Sequence, residues 1–575
     1  MRLLAVGCVF CLSFALHAAP TYTHDIAPIL QRKCAGCHRP GETAPFSLLT
    51  YADAKKRATQ IATVTRSRFM PPWLPEAGYG DFAGELRLSE AEIRTIGDWA
   101  AQGAPEGAPS AAVATVPAAT SLGTPDLRLE APGSFTVPAS GPDVYWNFIF
   151  KPALTSTRFV RAVEILPGDR RLVHHANLLV DRTGSAHLQE AAPGHGFPGM
   201  ELTLMRSPFD PEGHFRFWKP GSPPHIAPDG LAWRLVPGDE LILNAHFHPT
   251  GKPETVRPAI ALYFTDKPQT KFPLLLQLEN DPALDIPPGN ADFLVSDDFR
   301  LPMDLDVLAI YPHAHALGKL LEAYATLPDG KRKWLIRIPA WDPNWQAVFE
   351  YREPVFLPRG SVVSMRYHYD NSAANVRNPN HPPKRVRSGN QATDEMAHLW
   401  LQVLPRGPGD RRRELQEALF RHRLETQPKD FESNLNLGAV LLSRLSPQQA
   451  VGYLRAAVQA APRRADARNM LGVSLAATGQ SVEAIQQFRI ALRQQPALLN
   501  ARFNLANALV KSGKLDEAIA DYRQVVAANG ADVLPRSRLA DALLRAGRRE
   551  EALREFREIL KIDPANQQAR RELVH

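Results

Sequence analysis

The sequence predicts a multidomain protein that joins a small all-α domain, two β-sandwich domains and an α-helical solenoid. Its 575 residues exceed what one hydrophobic core usually serves. The middle of the chain is rich in Pro and Gly and carries short alternating apolar runs, which are typical of β-sandwiches, and the C-terminal part repeats with a fixed period. The expected units are a signal peptide (1–19), the helical domain (20–105), a Pro/Ala-rich linker (106–126), two sandwiches (127–270 and 271–405) and the solenoid (410–575).

The first residues have the order of a secretory signal peptide. A basic residue is followed by an apolar run over residues 3–16 and by small residues at 18–19, so we expect an exported, periplasmic protein. A lipid-anchored form attached through Cys8 or Cys11 is the alternative. No other apolar stretch reaches the roughly 20 residues of a membrane span. The net charge of +7 comes without a basic block, and so no nucleic-acid partner is expected.

A haem-attachment motif follows directly. In Cys34-Ala35-Gly36-Cys37-His38, two thiols three residues apart can bond the two vinyl groups of one porphyrin, and His38 reaches the iron. After signal cleavage no other cysteine remains, which disfavours a zinc site, and the context disfavours a redox dithiol. We therefore expect a cytochrome c-like domain with one covalently bound haem c.

The second axial ligand of this haem is predicted to be Met70. It lies in Phe69-Met70-Pro71-Pro72-Trp73, where the prolines would hold a loop rigidly, and a thioether opposite His raises the reduction potential. His24 is the alternative ligand and would lower the potential. Met70 as a simple packing residue is the third possibility, because Met commonly fills cores.

The C-terminal part has a period of 34 residues, which is the period of tetratricopeptide repeats. The residues that mark this period are Pro428, Pro462, Pro496 and Pro564, with Gly530 in the remaining position. Small and large residues recur in the same phase: Gly438, Gly472, Ala506 and Ala540; Ala450, Ala484, Ala518 and Ala552; Leu454, Phe488, Tyr522 and Phe556. Four helical hairpins should stack into a curved solenoid whose concave face binds a protein or peptide partner.

Histidines concentrate in the predicted β region. Residues two apart share one face of a strand, so His313 with His315, or His246 with His248, can present two imidazoles to one metal. The adjacent pair His174-His175 needs a bulge or a strand end to do the same. Imidazoles together with the thioether of Met396 suit copper better than magnesium or calcium. Ordinary surface or core histidines are the alternative interpretation.

The order of these residues over about 127–405 resembles the copper type II, ascorbate-dependent monooxygenases, the family of peptidylglycine α-hydroxylating and dopamine β-monooxygenases. The motifs that carry the match are Leu172-Val173-His174-His175-Ala176, Asn244-Ala245-His246-Phe247-His248-Pro249, His313-Ala314-His315-Ala316-Leu317-Gly318-Lys319 and Asp394-Glu395-Met396. The resemblance implies two eight-stranded, jelly-roll-like β-sandwiches that face a cleft and hold one copper ion each. It assigns His174, His175 and His246 to an electron-storing copper, and His313, His315 and Met396 to the copper that activates O2. His248 is left over and is expected to be exposed or to lie beside a ligand.

The chain departs from the peptide-hydroxylating members where they hold a substrate carboxylate. Their Arg, Asn and Tyr are replaced by Tyr311, His398 and Trp400, so the cationic donor that pairs with a carboxylate is absent. The resemblance also implies disulfides in the animal enzymes that this chain cannot form.

The resulting expectation is a monooxygenase that hydroxylates a C–H bond of an unknown organic or peptide substrate with O2. Its electrons would come from ascorbate or a redox partner, and the haem domain, tethered by the Pro/Ala linker, could deliver them. The alternative is a periplasmic electron-transfer or copper-binding scaffold without oxygenase activity, in which the solenoid recruits a partner.

Overall fold

The computed structural model describes residues 19–109, 122–182, 184, 186–200, 213–530 and 532–574. The predicted signal peptide, apart from residue 19, and the central part of the predicted linker lie outside the described residues. Within the described part, no helix combines the length and apolar character that crossing a membrane requires.

Short helices form the N-terminal unit (residues 20–105). A π-helical turn (Tyr22–Ile26) leads into α1 (Ala27–Lys33), followed by α2 (Tyr51–Lys56), α3 (Ala58–Arg66) and α4 (Glu90–Ala101). Capping boxes at Thr50 and Ser89 start α2 and α4, because each side chain accepts the N–H of the third helical residue. Ile26, Ile61 and Trp99 belong to the small apolar core of this unit.

The first β-sandwich packs two antiparallel sheets face to face. Its strands are β1 (Leu127–Glu130), β2 (Phe135–Val137), β3 (Val144–Phe150), β4 (Arg158–Leu166), β5 (Val173–Asp181), β6 (Phe197–Pro198), β7 (Phe217–Trp218), β8 (His225–Ile226), β9 (Trp233–Leu235), β10 (Glu240–Phe247), β11 (Glu254–Val256) and β12 (Ala259–Thr265). One sheet has the order β1-β12-β4-β8, with β9 also on β4, and the other has the order β6-β3-β10-β5-β7. The core lies between them and draws Val163 from the first sheet and Phe148 and Leu243 from the second.

The second β-sandwich has two four-stranded sheets. Its strands are β13 (Leu274–Glu279), β14 (Asp285–Ile286), β15 (Phe293–Arg300), β16 (Leu305–His313), β17 (Gly318–Thr326), β18 (Arg332–Ile338), β19 (Phe349–Leu357), β20 (Val362–Tyr369), β21 (Val386–Arg387) and β22 (His398–Pro405). The sheet orders are β13-β22-β16-β19 and β15-β20-β17-β18, and β14 and β21 form a separate ribbon. The central region is therefore β-rich. The first sandwich has five strands in each sheet because the short strands β6, β7, β8 and β9 extend them.

The N-terminal unit is docked on both sandwiches. On the first, the buried carboxylate of Glu42 pairs with Arg39 and Arg170, and Thr43 donates a hydrogen bond to the carbonyl of Arg170 at 2.9 Å. Burial strengthens such a pair relative to an exposed one. A loop of this unit is thereby fixed beside the start of β5.

Residues 73–83 of the same unit pack on the second sandwich. Phe82 is buried in its core and forms an isolated β-bridge with Tyr351. Trp73 stacks edge-on against Phe349 with ring centroids 5.5 Å apart, and Glu76 pairs with Arg337. Each aromatic ring buried in this way stabilises the docked arrangement by more than about 1 kcal/mol. The unit is therefore held on the sandwich by packing and not only by the predicted linker.

Helices form the C-terminal region. They are α5 (Arg412–Thr426), α6 (Phe431–Ser443), α7 (Pro447–Ala460), α8 (Ala465–Ala477), α9 (Ser481–Gln494), α10 (Leu499–Lys511), α11 (Leu515–Ala528), α12 (Val533–Arg545), α13 (Arg549–Ile562) and α14 (Gln567–Val574). Helices α6 to α13 pair as four consecutive hairpins. Ion pairs between residues 28 apart connect successive hairpins, as in Arg455 with Glu483 and Arg489 with Glu517.

The first helix of this region belongs to the second sandwich. Leu415 and Leu419 of α5 lie in the apolar core of that sandwich. Arg423 donates to the carbonyl of Gln277 at 3.0 Å, and His422 lies 2.8 Å from a carboxylate oxygen of Asp297. The solenoid is therefore anchored on β13 and β15 through both apolar and polar contacts.

The close approach of helices within a hairpin predicts the effect of Gly472→Ala. A Cβ at this position of α8 would lie 2.6 Å from the ring of Phe488, so we expect the helical region to lose about 1–2 kcal/mol, overpacking outweighing the gain in helix propensity. Gly452→Ala in α7 is the matched control, because its Cβ would meet nothing within 4 Å, and it should stabilise by about 0.5–1 kcal/mol. Urea unfolding followed by helical circular dichroism measures both. Equal shifts in the two variants would contradict the packing argument.

Candidate metal centres

Three histidines of the first sandwich converge on one point. His175 on β5 and His246 on β10 are direct partners in the antiparallel ladder. The register shifts between His246 and Phe247, because Phe247 pairs with Val173 and leaves His174 as an extra residue. This irregularity is a bulge, and a bulge turns a side chain out of its alternating direction. It brings the neighbours His174 and His175 to the same side.

The distances among these imidazoles suit ligands of a single ion. Nδ1 of His174 lies 3.3 Å from Nδ1 of His246 and 3.2 Å from Nδ1 of His175, and one nitrogen of each ring lies within 4.8 Å of the others. Two nitrogens bonded to one metal at about 2.0–2.1 Å in tetrahedral geometry are roughly 3.3 Å apart. The donor set of His174, His175 and His246, here called the triad centre, therefore fits one metal ion.

The surroundings of the triad centre favour the neutral form of His174 and His175 and orient the ring of His246. Burial and the neighbouring histidine His246 lower the pKa of His174 to about 4, and burial holds the pKa of His175 well below its usual range. Neutral rings keep the lone pairs that a metal needs. Nε2 of His246 lies 2.9 Å from Asp143, and the ring of Tyr145 stacks on His246 at 4.3 Å. A carboxylate on the far nitrogen fixes which nitrogen faces the metal.

A second group lies at one end of β16. His313 is the last residue of this strand, and His315 lies beyond it, with ring centroids 5.4 Å apart. Nδ1 of His313 lies 2.8 Å from Oε1 of Gln346, and Nδ1 of His315 lies 2.9 Å from the carbonyl of Asp394. Because Nδ1 of each ring donates a hydrogen bond, Nε2 of each ring keeps the lone pair that can bind a metal.

Met396 lies two residues before His398, which begins β22 and pairs with His313. Met396 is 7% exposed, and its carbonyl accepts the hydroxyl of Tyr369 at 2.7 Å. His313, His315 and Met396, here called the His313 centre, are thus drawn from neighbouring strand ends. They offer two imidazoles and one thioether, a softer set than that of the triad centre.

Glu395 holds the His313 centre together, although sequence reasoning did not single it out. Its fully buried carboxylate accepts the backbone N–H of His315 at 2.7 Å and that of Leu317 at 2.6 Å. The residue next to Met396 therefore clamps the loop that carries His315. The sequence predicted that a shared strand face unites His313 and His315, whereas the strand ends at His313 and this clamp positions the second ring. Burial raises the pKa of Glu395, while the backbone N–H groups that its oxygens accept favour the ionised form.

The two centres face each other across aromatic side chains. The ring of Phe217 lies 5.5 Å from that of His175 and 5.5 Å from that of Tyr311, and Tyr311 stacks on His313 at 5.9 Å. A series of neighbouring rings thus connects His175 of one centre with His313 of the other.

Tyr311 and His398, which stand where relatives hold a substrate carboxylate, are bonded to other side chains of this protein. The hydroxyl of Tyr311 donates to Gln346 at 2.8 Å, and Nε2 of His398 lies 3.1 Å from Asp281. This acidic partner raises the pKa of His398 above its usual value. The His398 side chain is therefore already paired within the protein. His248 uses its backbone N–H to bond the carbonyl of Leu172 and is not part of the converging group.

The haem-attachment motif forms a helical turn after α1. The N–H groups of Cys37 and His38 both bond the carbonyl of Cys34, and the two thiols are free of any disulfide. Nδ1 of His38 lies 3.2 Å from the carbonyl of Phe46, an arrangement that leaves Nε2 for an iron. These donors suit a covalently attached haem.

The two candidate axial ligands differ in environment. Met70 is half-buried after α3, where its N–H bonds the carbonyl of Val64. The His24 side chain is 82% exposed and lies 3.1 Å from Asp25. Its exposure favours Met70 over His24, and the role of Met70 as a haem ligand stays a prediction.

Comparison with known proteins identifies the C-terminal region. Tetratricopeptide-repeat family models match residues 435–498 and 509–574, and no curated protein matches the chain. Among solved structures, MamA is 20% identical over 27% of this chain and 90% of its own, with a TM-score of 0.26. YrrB, a TPR protein with an unusual peptide-binding site, is 23% identical over 27% and 79%, with a TM-score of 0.25. A thermophilic TPR protein of Thermus thermophilus is 22% identical over 28% and 89%, with a TM-score of 0.24.

The predicted tetratricopeptide repeats are thereby confirmed. Modules of this kind present a concave surface to protein partners, so the C-terminal region is a protein-interaction module attached to a β-rich centre. The matched residues lie within the helices α6 to α14.

The hydrogen bonds of Glu395 to the loop that carries His315 predict that Glu395→Gln weakens metal binding at one centre only. The side-chain amide would turn an N–H group toward a backbone N–H, so we expect the His313 centre to lose roughly 10–100-fold in affinity for Cu(I), while the triad centre keeps its affinity. Titration against a competing Cu(I) chelator measures both. Glu322→Gln is the control, because Glu322 pairs with Arg337 on the same sandwich and should leave both affinities unchanged. If the His313 centre binds Cu(I) equally well in the wild type and in Glu395→Gln, Glu395 does not position this centre.

Proposed function

We propose that this protein is a periplasmic copper-dependent monooxygenase that hydroxylates a C–H bond with O2 and receives electrons through a fused haem c domain. The observation that carries the proposal is the convergence of three imidazoles in the triad centre, where Nδ1 of His174 lies 3.3 Å from Nδ1 of His246 and 3.2 Å from Nδ1 of His175. Such spacing suits a shared metal, and it occurs on residues that the family resemblance assigns to a copper site. Hydroxylation of this kind consumes two electrons and two protons, places one oxygen atom in the product and releases the other as water.

The two centres differ in ways that support separate tasks. Bound copper supplies one-electron redox chemistry and reactivity toward O2. The thioether of Met396 favours the reduced ion, which suits reaction with O2, whereas the three imidazoles of the triad centre suit a metal that stores an electron. Gln346 and Glu395 orient His313 and His315 before any substrate binds. His398, which stands at one of the positions where relatives hold a substrate carboxylate, is already engaged by Asp281 and is not free to pair with such a group. A neutral group near the reacting carbon is therefore the better fit.

A scaffold function without oxygenase activity is the second candidate. The confirmed repeats favour it, because they are a protein-interaction module, and a fold can keep its metal ligands after its chemistry is lost. Substrate-dependent oxygen consumption separates the two candidates, since a scaffold does not couple O2 reduction to an organic substrate.

Metal content is the first test of the proposal. Protein matured in a periplasm should contain about two copper ions and one haem per chain, as the two donor sets and one attachment motif require. The double variant His313→Ala, Met396→Ala should lose one copper and keep the haem. His248→Ala, which alters a neighbouring histidine outside both donor sets, should keep both. Wild-type protein that contains haem but no stoichiometric copper would contradict the proposed oxygenase function.

The thioether ligand can be tested separately. X-ray absorption of the reduced, copper-loaded protein should contain a sulfur scatterer that Met396→Leu removes, because Leu keeps most of the volume and loses the donor. Met365→Leu, which alters a buried methionine of β20 in the same core, should retain the signal. A sulfur signal that survives Met396→Leu would exclude Met396 as the ligand.

A further inference from the structure

Cys37 of the haem-attachment motif contacts a short segment of the first sandwich. Sγ of Cys37 lies 3.8 Å from the carbonyl oxygen of Pro220. At Gly221, with φ of +81°, an added Cβ would overlap that sulfur. A glycine is required here by both the backbone conformation and the proximity of the thiol. A group bonded to Cys37 therefore has its point of attachment against residues 220–221.

The same segment continues into β7, which lies beside the triad centre. Phe217 and Trp218 pair with Asn177 and Ala176 of β5, the residues that directly follow His174 and His175. The ring of Phe217 stacks on His175 with an interplanar angle of 29°. From Phe217 to Gly221 the chain spans at most about 14 Å, so a short covalent path joins the thiol contact to a ligand of the triad centre.

Phe217 also reaches the other centre. Its ring lies 5.5 Å from Tyr311, and Tyr311 stacks on His313 with an interplanar angle of 29°. Oε1 of Gln346 accepts from both the hydroxyl of Tyr311 and Nδ1 of His313, each at 2.8 Å. The position of Tyr311 is therefore fixed by the same amide that orients the metal ligand. Residues 217–221, here called the junction segment, contact the haem motif through Pro220 and Gly221. Through Phe217 they contact His175 of the triad centre and Tyr311, the neighbour of His313.

We propose that the junction segment is the electron-transfer contact between the haem and the two copper centres, with Phe217 as the residue from which the path continues to His175 and to Tyr311. In each transfer a ferrous haem iron is oxidised to the ferric state and one Cu(II) is reduced to Cu(I). An external one-electron reductant, such as ascorbate, restores the haem. The inference rests on the proposed function, because it requires both the haem and the copper ions. Close packing matters here because electron tunnelling weakens steeply across gaps without atoms in contact.

The test uses the full chain loaded with haem and Cu(II) under anaerobic conditions. A photoexcited flavin reduces the haem in a flash, and the decay of the ferrous absorbance then reports transfer to copper, with loss of the Cu(II) electron paramagnetic resonance signal as the second readout. Phe217→Leu should slow this copper-dependent decay by about tenfold or more, because the ring contact is replaced by a gap. Phe135→Leu is the control, because that ring packs on Trp146 and Phe247 in the same sandwich, and it should not alter the rate.

A second pair of variants tests the other end of the path. Gly221→Ala should also slow the decay, because its Cβ displaces the loop from Cys37. Gly330→Ala has the same φ of +81° but open space around the added Cβ, so it carries the same backbone strain and should leave the rate unchanged. Haem and copper are quantified in every sample. If the decay is unchanged in Phe217→Leu and Gly221→Ala, with full haem and copper, the electron-transfer role of the junction segment is wrong. The proposed function would not be affected by that result. A wild-type protein that binds no copper would overturn the proposed function and this inference with it.

Discussion

Burial of Phe82 in the core of the second sandwich is the contact on which the arrangement of the units depends. Phe82 belongs to the N-terminal unit, yet its ring packs among Phe349 and Tyr351 and is 2% exposed. Removing such a ring from water contributes a few kilocalories per mole. Together with the buried Glu42 and Arg170 pair on the first sandwich, it holds the predicted haem-attachment motif at a fixed place. The strands that carry the candidate metal ligands, the junction segment and this motif therefore keep fixed positions relative to one another.

Features with short sequence spacing could be predicted from the sequence. The solenoid was predictable because each hairpin is encoded within 34 residues, and α6 to α13 follow that period. For the pair His174-His175 to bind one metal the sequence required a bulge or a strand end, and the ladder between β5 and β10 contains a bulge. Short alternating runs indicated a β-rich centre for a similar reason, since alternation along a strand is a local signal.

Features that depend on distant pairing could not be predicted. Glu395 bonds the N–H of His315, which lies 80 residues away, and no local pattern distinguishes such a carboxylate from a solvated one. Its position beside Met396 was the only available hint. Phe217 is likewise an ordinary aromatic residue until β7 places it next to His175. The docking of residues 73–83 could not be predicted, because the sequence of a loop does not show which domain its aromatic residues pack against. The strand that ends at His313 shows the same limit, because the end of a strand depends on its neighbours.

The placement of α5 has a consequence for how the domains behave as separable modules. Leu415 and Leu419 fill the core of the second sandwich, while Arg423 and His422 of the same helix bond its strands. A sandwich cut free before α5 would expose an apolar surface where those leucines lie, and it would leave polar partners unsatisfied. The interaction module and the β-rich centre therefore share an apolar core at this boundary. Exchange of the repeats between related proteins would have to preserve α5, so the useful point of recombination lies after this helix and not at the end of the last strand.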